Sequence, residues 1–145
     1  MENYLVEIGG EIRAKGINPS GKPWKIGIDK PVENVKQGDI ALAADLTDCA
    51  MATSGNYRNY HQGNGSKFGH TISPVTGRPV ASDVISATVV APTCMEADAL
   101  ATCCMALGSQ EALALCNRLK VGVLLILSDM STKTNDHFPK ISSEF

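Results

Sequence analysis

VISATVVAPTCMEADALATCCMALG, residues 84–108, is the stretch that decides the fold. Its first eight residues, Val84 to Ala91, are rich in β-branched side chains and stop at Pro92, which has no N–H to give a ladder, so they read as a strand. Thr93-Cys94-Met95-Glu96 then carries the spacing of a capping box, in which a hydroxyl and a carboxylate take up the unpaired donors of a first helical turn. The helix it starts runs to about Leu107, and Gly108 closes it. After Glu96 its residues are apolar on every side apart from Asp98 and Thr102, which predicts a helix buried all round.

Working outward from this core, Ser109 is placed to cap a second helix running through Leu119. Val121 to Leu127 is a continuous apolar run, the pattern of a strand covered on both faces. Beyond Ser128 the chain is polar and weakly patterned. On the N-terminal side, Leu5 to Ile8 and Glu11 to Ala14 alternate with period two around Gly9-Gly10, which predicts one strand with a bulge or a close backbone approach. Asn18-Pro19-Ser20-Gly21 has the chemistry of a turn, and Trp24 to Ile28 alternates again, so the segments on either side predict a hairpin. Ile40 to Leu46 and Ala50 to Thr53 are two more short strands. The glycine-rich polar stretch from Ser54 to Lys67 predicts a mobile surface loop, Phe68 to Ile72 a brief strand, and Ser73 to Pro79 a loop. Antiparallel strands followed by two helices make the class α+β, a mainly antiparallel sheet with two helices packed on it. Neither an internal repeat nor a linker interrupts residues 1–145, so one folded unit is expected.

Composition narrows the function. With 43% hydrophobic and 19% charged residues, the chain has ordinary globular usage, which excludes disordered and fibrous classes. A formal net charge of −2 and the lack of any Lys or Arg run make nucleic acid an unlikely partner. The apolar run at 121–127 falls far short of the ~20 residues a bilayer span needs, so no transmembrane segment is expected. Met1 to Glu7 has no basic region followed by an apolar stretch, so no signal peptide is expected within the chain. Five cysteines, odd in number and without a CxxC, read as small buried hydrophobes and not as a disulfide set or zinc site.

The residues that carry chemistry lie on and before the decisive helix. Asp98 sits past the capping positions, and a carboxylate buried there needs a compensating cation or several donors. Thr102 lies four residues on, on the same face, so the pair offers two hard oxygens to one point, as a Mg²⁺ that keeps waters and phosphate oxygens requires. Other readings stand beside this one: Asp98 paired with an Arg or backbone donors, and Thr102 bonded to the carbonyl one turn back. His70, entering a loop at a strand end, is positioned either as a catalytic group or as a structural histidine bonding the loop backbone. His61 and His137 stand in polar loop sequence and read as surface residues.

Four blocks in order resemble the C-terminal half of the ApbE family of FAD:protein FMN transferases. They are Leu5-Val6-Glu7-Ile8-Gly9-Gly10-Glu11-Ile12 with Gly21-Lys22-Pro23-Trp24, Ala52-Thr53-Ser54-Gly55-Asn56-Tyr57, Gly69-His70-Thr71-Ile72-Ser73-Pro74-Val75-Thr76-Gly77-Arg78-Pro79, and Ala97-Asp98-Ala99-Leu100-Ala101-Thr102. The resemblance implies a two-subdomain α+β enzyme that binds FAD as substrate, splits its pyrophosphate with Mg²⁺, and transfers FMN to a threonine hydroxyl of a target flavoprotein. It matches Asp98 and Thr102 to the side-chain magnesium ligands, His70 to the histidine that helps deprotonate the acceptor threonine, and Ile72 to a backbone contact with the flavin nucleotide. Thr53, Ser54 and Gly55 are expected at the cofactor as well. The resemblance also implies a partner, an N-terminal half carrying most of the flavin contacts, and a location outside the cytoplasm, periplasmic or membrane-anchored as a lipoprotein. Ser73 stands where the family usually has Asp. Two alternatives to transfer are a non-catalytic remnant that binds nucleotide or a partner, and a pyrophosphatase releasing FMN and AMP.

Overall fold

The computed structural model describes residues 1–31, 40–56, 60–63, 66–69 and 71–142. In chain order its elements are β1 (Tyr4–Ile8), β2 (Glu11–Lys15), β3 (Trp24–Asp29), β4 (Ile40–Leu46), β5 (Ala50–Gly55), β6 (Tyr60–Gly63), β7 (Ser66–Gly69), β8 (Val84–Ala91), α1 (Cys94–Leu107), α2 (Ser109–Leu119), β9 (Gly122–Leu127), β10 (Thr132–Thr134) and β11 (Ile141–Ser142). The mainly antiparallel α+β class expected from the sequence is what the chain adopts.

The central sheet has six strands in the order β1-β2-β5-β8-β9-β10, all neighbours antiparallel. Its middle strands β8 and β9 are joined by the two helices, and a helical hairpin returns the chain to the end where an antiparallel neighbour must start. A second sheet, β11-β4-β3, covers the other side. The strands of the central sheet therefore divide their side chains between two cores, as the period of two requires. Val84, Ala87, Val89 and Ala91 of β8, with Val123, Leu125 and Leu127 of β9, pack under α1 and α2 against Ala97, Ala101, Met105 and Ala112. Val90, Leu124 and Ile126 point the opposite way and meet Ile26, Ile28, Ala44 and Leu46 of the second sheet. Covering on both faces is why β9 reads as one unbroken apolar run.

Three expectations change. Gly9 and Gly10, at φ 66° and 104°, form the two-residue turn of a β1–β2 hairpin, where both positions demand left-handed backbone; they do not bulge one strand. β3 consequently pairs with β4 in the second sheet and not with the first strands. Part of the stretch expected to be loop between Ser54 and Lys67 forms the β6–β7 hairpin, which extends to Gly69. The weakly patterned tail adds β10 and β11, closing one edge of each sheet. Gly122 lets that tail pass: a Cβ there would stand 2.7 Å from the carbonyl oxygen of His137 and 2.8 Å from the Cα of Phe138.

Thr93 caps the helix, its Oγ1 accepting from the Glu96 amide at 3.2 Å and donating to the Glu96 carboxylate at 2.8 Å, so the carboxylate of the capping box engages the hydroxyl and not the Thr93 amide. α2 is capped differently from expectation. Ser109 is its first residue, Gly108 has no side chain to cap with, and the carboxylate of Asp83, just before β8, accepts from the Ser109 amide at 2.8 Å and hydroxyl at 2.6 Å. Lys133 of the tail donates to the same hydroxyl at 3.0 Å. These bonds hold the Asp83 carboxyl below its usual range, the Ser109 hydroxyl being the largest cause and its amide next.

Candidate functional site

α1 lies across β8 and β5 and also meets α2 and β2, and these neighbours decide what each of its sides can do. Ala97, Ala101, Cys104 and Met105 face the sheet and are buried. The opposite side is not covered by any element among the described residues: Met95, Asp98, Ala99, Thr102 and Cys103 are exposed. The expectation of burial all round is thereby corrected, and so is the picture of Asp98 as a buried carboxylate in need of compensation. The composition of the helix shows that all its sides are apolar enough to be covered; it does not show which covering elements are present.

Asp98 and Thr102 stand one turn apart on the side of α1 that meets the end of β5. Four residues of helix rise about 6 Å, so both side chains address the same small region. Ser54 of β5 arrives there from the sheet, with its Oγ 3.1 Å from Oγ1 of Thr102. A bond from the Thr102 hydroxyl to the carbonyl one turn back is not found among the described residues. The Asp98 carboxylate has neither an ion pair nor a hydrogen bond among the described residues, so the expected Arg or backbone partner is not found there. The region thus presents one carboxylate and two hydroxyls, all hard oxygen donors, around a point open to solvent. Among the described residues no group of three or more His, Cys, Asp or Glu gathers to hold a metal. A cation bound here would rest on one charged ligand plus neutral oxygens, which suits Mg²⁺ with waters and phosphate oxygens and does not suit zinc.

The side chains of Thr53 and Ser54 lie on opposite faces of the central sheet. Ala52 packs under α1, Ser54 faces α1 again, and Thr53 between them points through the sheet, where its hydroxyl is 2.9 Å from that of Thr88. Thr53 is therefore separated from the Asp98 region by the sheet itself, whereas Ser54 joins it. Nothing in the linear sequence signals the Ser54–Thr102 contact, because the two residues are 48 positions apart.

Ile72 is exposed and makes an isolated bridge to Pro79 that closes the following loop. Within it Ser73 N donates to Arg78 O at 2.9 Å, Gly77 N to Ser73 O at 2.8 Å, and Val80 N to Thr71 O at 3.0 Å. The Ser73 hydroxyl accepts from the amides of Val75 and Thr76 at 3.3 Å each. A hydroxyl here performs the local turn bonding that an Asp carboxylate also performs, so the loop keeps its form with Ser. His70 and Tyr57 lie outside the described residues. The cysteines only partly follow expectation: Cys104 and Cys116 are buried, Cys49 and Cys94 partly so, and Cys103 is exposed. A separate apolar cleft of about 240 Å³, lined by Lys30, Pro31, Leu42, Ile126, Met130 and Thr132, borders the second sheet, remote from the oxygen donors.

Residues 1–126 match the ApbE family. The chain is 44% identical over 143 residues to the FAD:protein FMN transferase of Vibrio cholerae serotype O1, a match covering 99% of this chain and 41% of the relative. To the protein of the same name from Haemophilus influenzae it is 42% identical, covering 97% of this chain and 41% of the relative. Among solved structures it resembles the apo flavinyl transferase ApbE of Pseudomonas stutzeri, with a TM-score of 0.75 and 32% identity over 94% of this chain and 42% of that one. The ApbE protein of Thermotoga maritima superposes with a TM-score of 0.79 at 28% identity, over 95% of this chain and 45% of that one. The chain thus spans about two fifths of the length of the curated relatives it matches.

Proposed function

The chain belongs to the ApbE family, and on that premise we propose that it supplies the metal and acceptor side of a magnesium-dependent transfer of FMN from FAD to a threonine hydroxyl of a target flavoprotein. The observation that carries this reading is the meeting of Ser54 and Thr102 beside an Asp98 without a partner among the described residues. Three oxygen donors held by a sheet and a helix form a rigid corner, and rigid elements position ligands better than loops do.

In this reading Asp98 and Thr102 hold the Mg²⁺, with Ser54 keeping the Thr102 hydroxyl turned toward it. When bound, the cation neutralises charge on the FAD pyrophosphate and on the departing AMP. The main chain at Ile72, on a loop tied at both ends by backbone bonds, offers a fixed contact to the flavin nucleotide. His70, two residues earlier, takes the proton of the acceptor threonine and thereby readies its oxygen for attack on phosphorus. Thr53, Ser54 and Gly55 would reach the cofactor by their position at the end of β5, Thr53 through its backbone, since its hydroxyl is 2.9 Å from that of Thr88.

The remaining part of a full-length relative belongs, in the same proposal, on the uncovered side of α1. We read this chain as the C-terminal portion, with an N-terminal half closing the nucleotide pocket over Met95, Asp98 and Thr102. Met95 is 79% exposed and Ile8 on the edge strand β1 74% exposed, which is the kind of apolar surface a folded partner covers. The extracytoplasmic, membrane-anchored or periplasmic setting implied by the resemblance is part of the proposal; no described helix is long and apolar enough to cross a membrane.

The test is a chimera in which this chain replaces the matching portion of the Vibrio cholerae relative, incubated with FAD, Mg²⁺ and an acceptor flavoprotein. Covalent flavin on the acceptor supports transfer, and FMN and AMP released without labelling would identify hydrolysis instead. His70→Ala should cut transfer strongly while FAD affinity stays nearly unchanged, since a base acts on the transition state more than on the ground state. Equal losses in both would remove His70 from that role.

A further inference from the structure

The seam between α1 and α2 brings together two thiols that the transfer reaction does not use. Cys104 of α1 and Cys116 of α2 are both fully buried, and their Sγ atoms are 3.6 Å apart. The other three thiols are placed differently. Cys94 Sγ donates to the Ile12 carbonyl at 3.4 Å, Cys49 is partly buried near Arg13 and Asp48, and Cys103 is exposed. Sulfur in mere packing needs no sulfur neighbour, and Ala97, Ala101 and Ala112 fill the rest of this helix-side core.

We propose that Cys104 and Cys116 are a dithiol oxidation site, closing to a reversible disulfide that staples α1 to α2 by exchange with a small disulfide such as oxidised glutathione. A disulfide holds its sulfurs about 2.05 Å apart, so the pair must close by roughly 1.5 Å, a movement within reach of side-chain rotation and a slight approach of the helices. The two residues sit 12 positions apart on neighbouring helices joined by the single residue Gly108, so no distant part of the chain has to move.

Cys116, as thiolate, attacks one sulfur of the glutathione disulfide; that S–S bond breaks, and one glutathione leaves and takes up a proton. Cys104 then gives up its proton and attacks the Cys116 sulfur of the mixed disulfide, expelling the second glutathione as a thiol. Two protein thiols lose two electrons and two protons, and one glutathione disulfide becomes two thiols. The S–H···S contact, in which either sulfur can donate, and burial push the Cys104 thiol up; the order of attack follows from access. Access comes from the end of α2. Cys116 lies in its last turn, and Lys120, which ends it, holds a left-handed φ of 56° that a non-glycine residue adopts at a cost. Fraying from that end uncovers Cys116 first.

The staple lies on the helix that also carries Asp98 and Thr102, so its closure stiffens the candidate site without occupying it. The site of oxidation stands or falls independently of flavin transfer.

The experiment equilibrates the chain with glutathione buffers of rising oxidation, quenches with acid, alkylates the free thiols under denaturing conditions, and maps peptides after cleavage at glutamate. Cleavage at Glu96 and Glu111 separates Cys104 from Cys116. The expected result is a linked peptide pair two hydrogens lighter than its parts, with Cys104 and Cys116 lost together from the alkylatable thiols and any loss at the exposed Cys103 appearing as a glutathione adduct. The melting temperature should rise by roughly 5–10 °C and return on reduction. Cys103→Ser should keep the link and Cys104→Ala should lose it. Five free thiols at the most oxidising poise, or a link that survives in Cys104→Ala and vanishes in Cys103→Ser, would overturn the proposal; the wild-type map decides even where a variant does not fold.

Discussion

Replacing Asp83 by Ala tests how the helical layer is held on the sheet. The carboxylate of Asp83 is the only side chain among the described residues that caps α2, accepting from the Ser109 amide at 2.8 Å and from its hydroxyl at 2.6 Å. Loss of a helix N-cap costs ~1 kcal/mol. Ser109 is 5% exposed, so its hydroxyl also loses a charged acceptor in a nearly dry place, which adds about 1 kcal/mol after discounting for the exposed position of Asp83 itself. The sum of about 2 kcal/mol corresponds in a chain of this size to a fall of roughly 6–8 °C in melting temperature, readable by circular dichroism. Asp83→Asn keeps an acceptor for the amide and should lose about half as much.

The pH dependence has a definite sign. The folded-state pKa of Asp83 lies below its ordinary value of 3.8, so the ionised carboxylate is the form the fold prefers. The stabilisation is complete above the unfolded value and drains away as pH falls through the lower folded value. The gap between wild type and Asp83→Asn should therefore be constant from neutral pH down to about 5 and close as the pH drops below 4. A melting temperature for Asp83→Ala within a degree of wild type at neutral pH, or a gap that widens on acidification, would refute the capping argument.

Three other changes probe separate parts of the account. Gly122→Ala places a methyl 2.7 Å from the His137 carbonyl and should cost about 1–3 kcal/mol in urea unfolding, because backbone and not a flexible side chain must move. Leu125→Ala, at a fully buried position under the helices, should cost about 2–5 kcal/mol by the same measurement. Ser54→Ala should change stability by less than about 1 kcal/mol, since the lost hydrogen bond is exposed, yet should weaken cation binding in the chimera. Ser54→Thr, which restores a hydroxyl, should recover the binding.

Local chemistry was legible in the sequence and distant contact was not. The helix cap at Thr93, the β-branched run of β8 and the apolar run of β9 each declare themselves within a few residues, and each forms as expected. Gly9-Gly10 reads from the sequence as a bulge because alternation on both sides of a glycine pair looks the same in a bulged strand and in the two-residue hairpin that forms. The pairing of β3 with β4 depends on which sheet face still needs covering, which no local pattern states. Spacing and family resemblance single out Asp98 and Thr102 as candidates, but not their exposure, since apolar composition shows what a helix tolerates and not what lies over it. The Ser54–Thr102 and Cys104–Cys116 contacts join residues far apart in sequence, and only the packing of α1 reveals them.

We propose above that Asp98, with Thr102 turned by Ser54, holds the divalent cation of a flavin transfer site. Titrating Mn²⁺, followed by electron paramagnetic resonance, into the FAD-loaded chimera and its Asp98→Asn variant tests it most directly, paired with melting of the unliganded proteins. Removing the one charged ligand should weaken the cation at least tenfold, about 1.4 kcal/mol. The exposed carboxamide should leave the unliganded fold within about 0.5 kcal/mol of wild type. Equal Mn²⁺ affinity in the two proteins, or a loss traceable to a collapse of stability, would contradict the account.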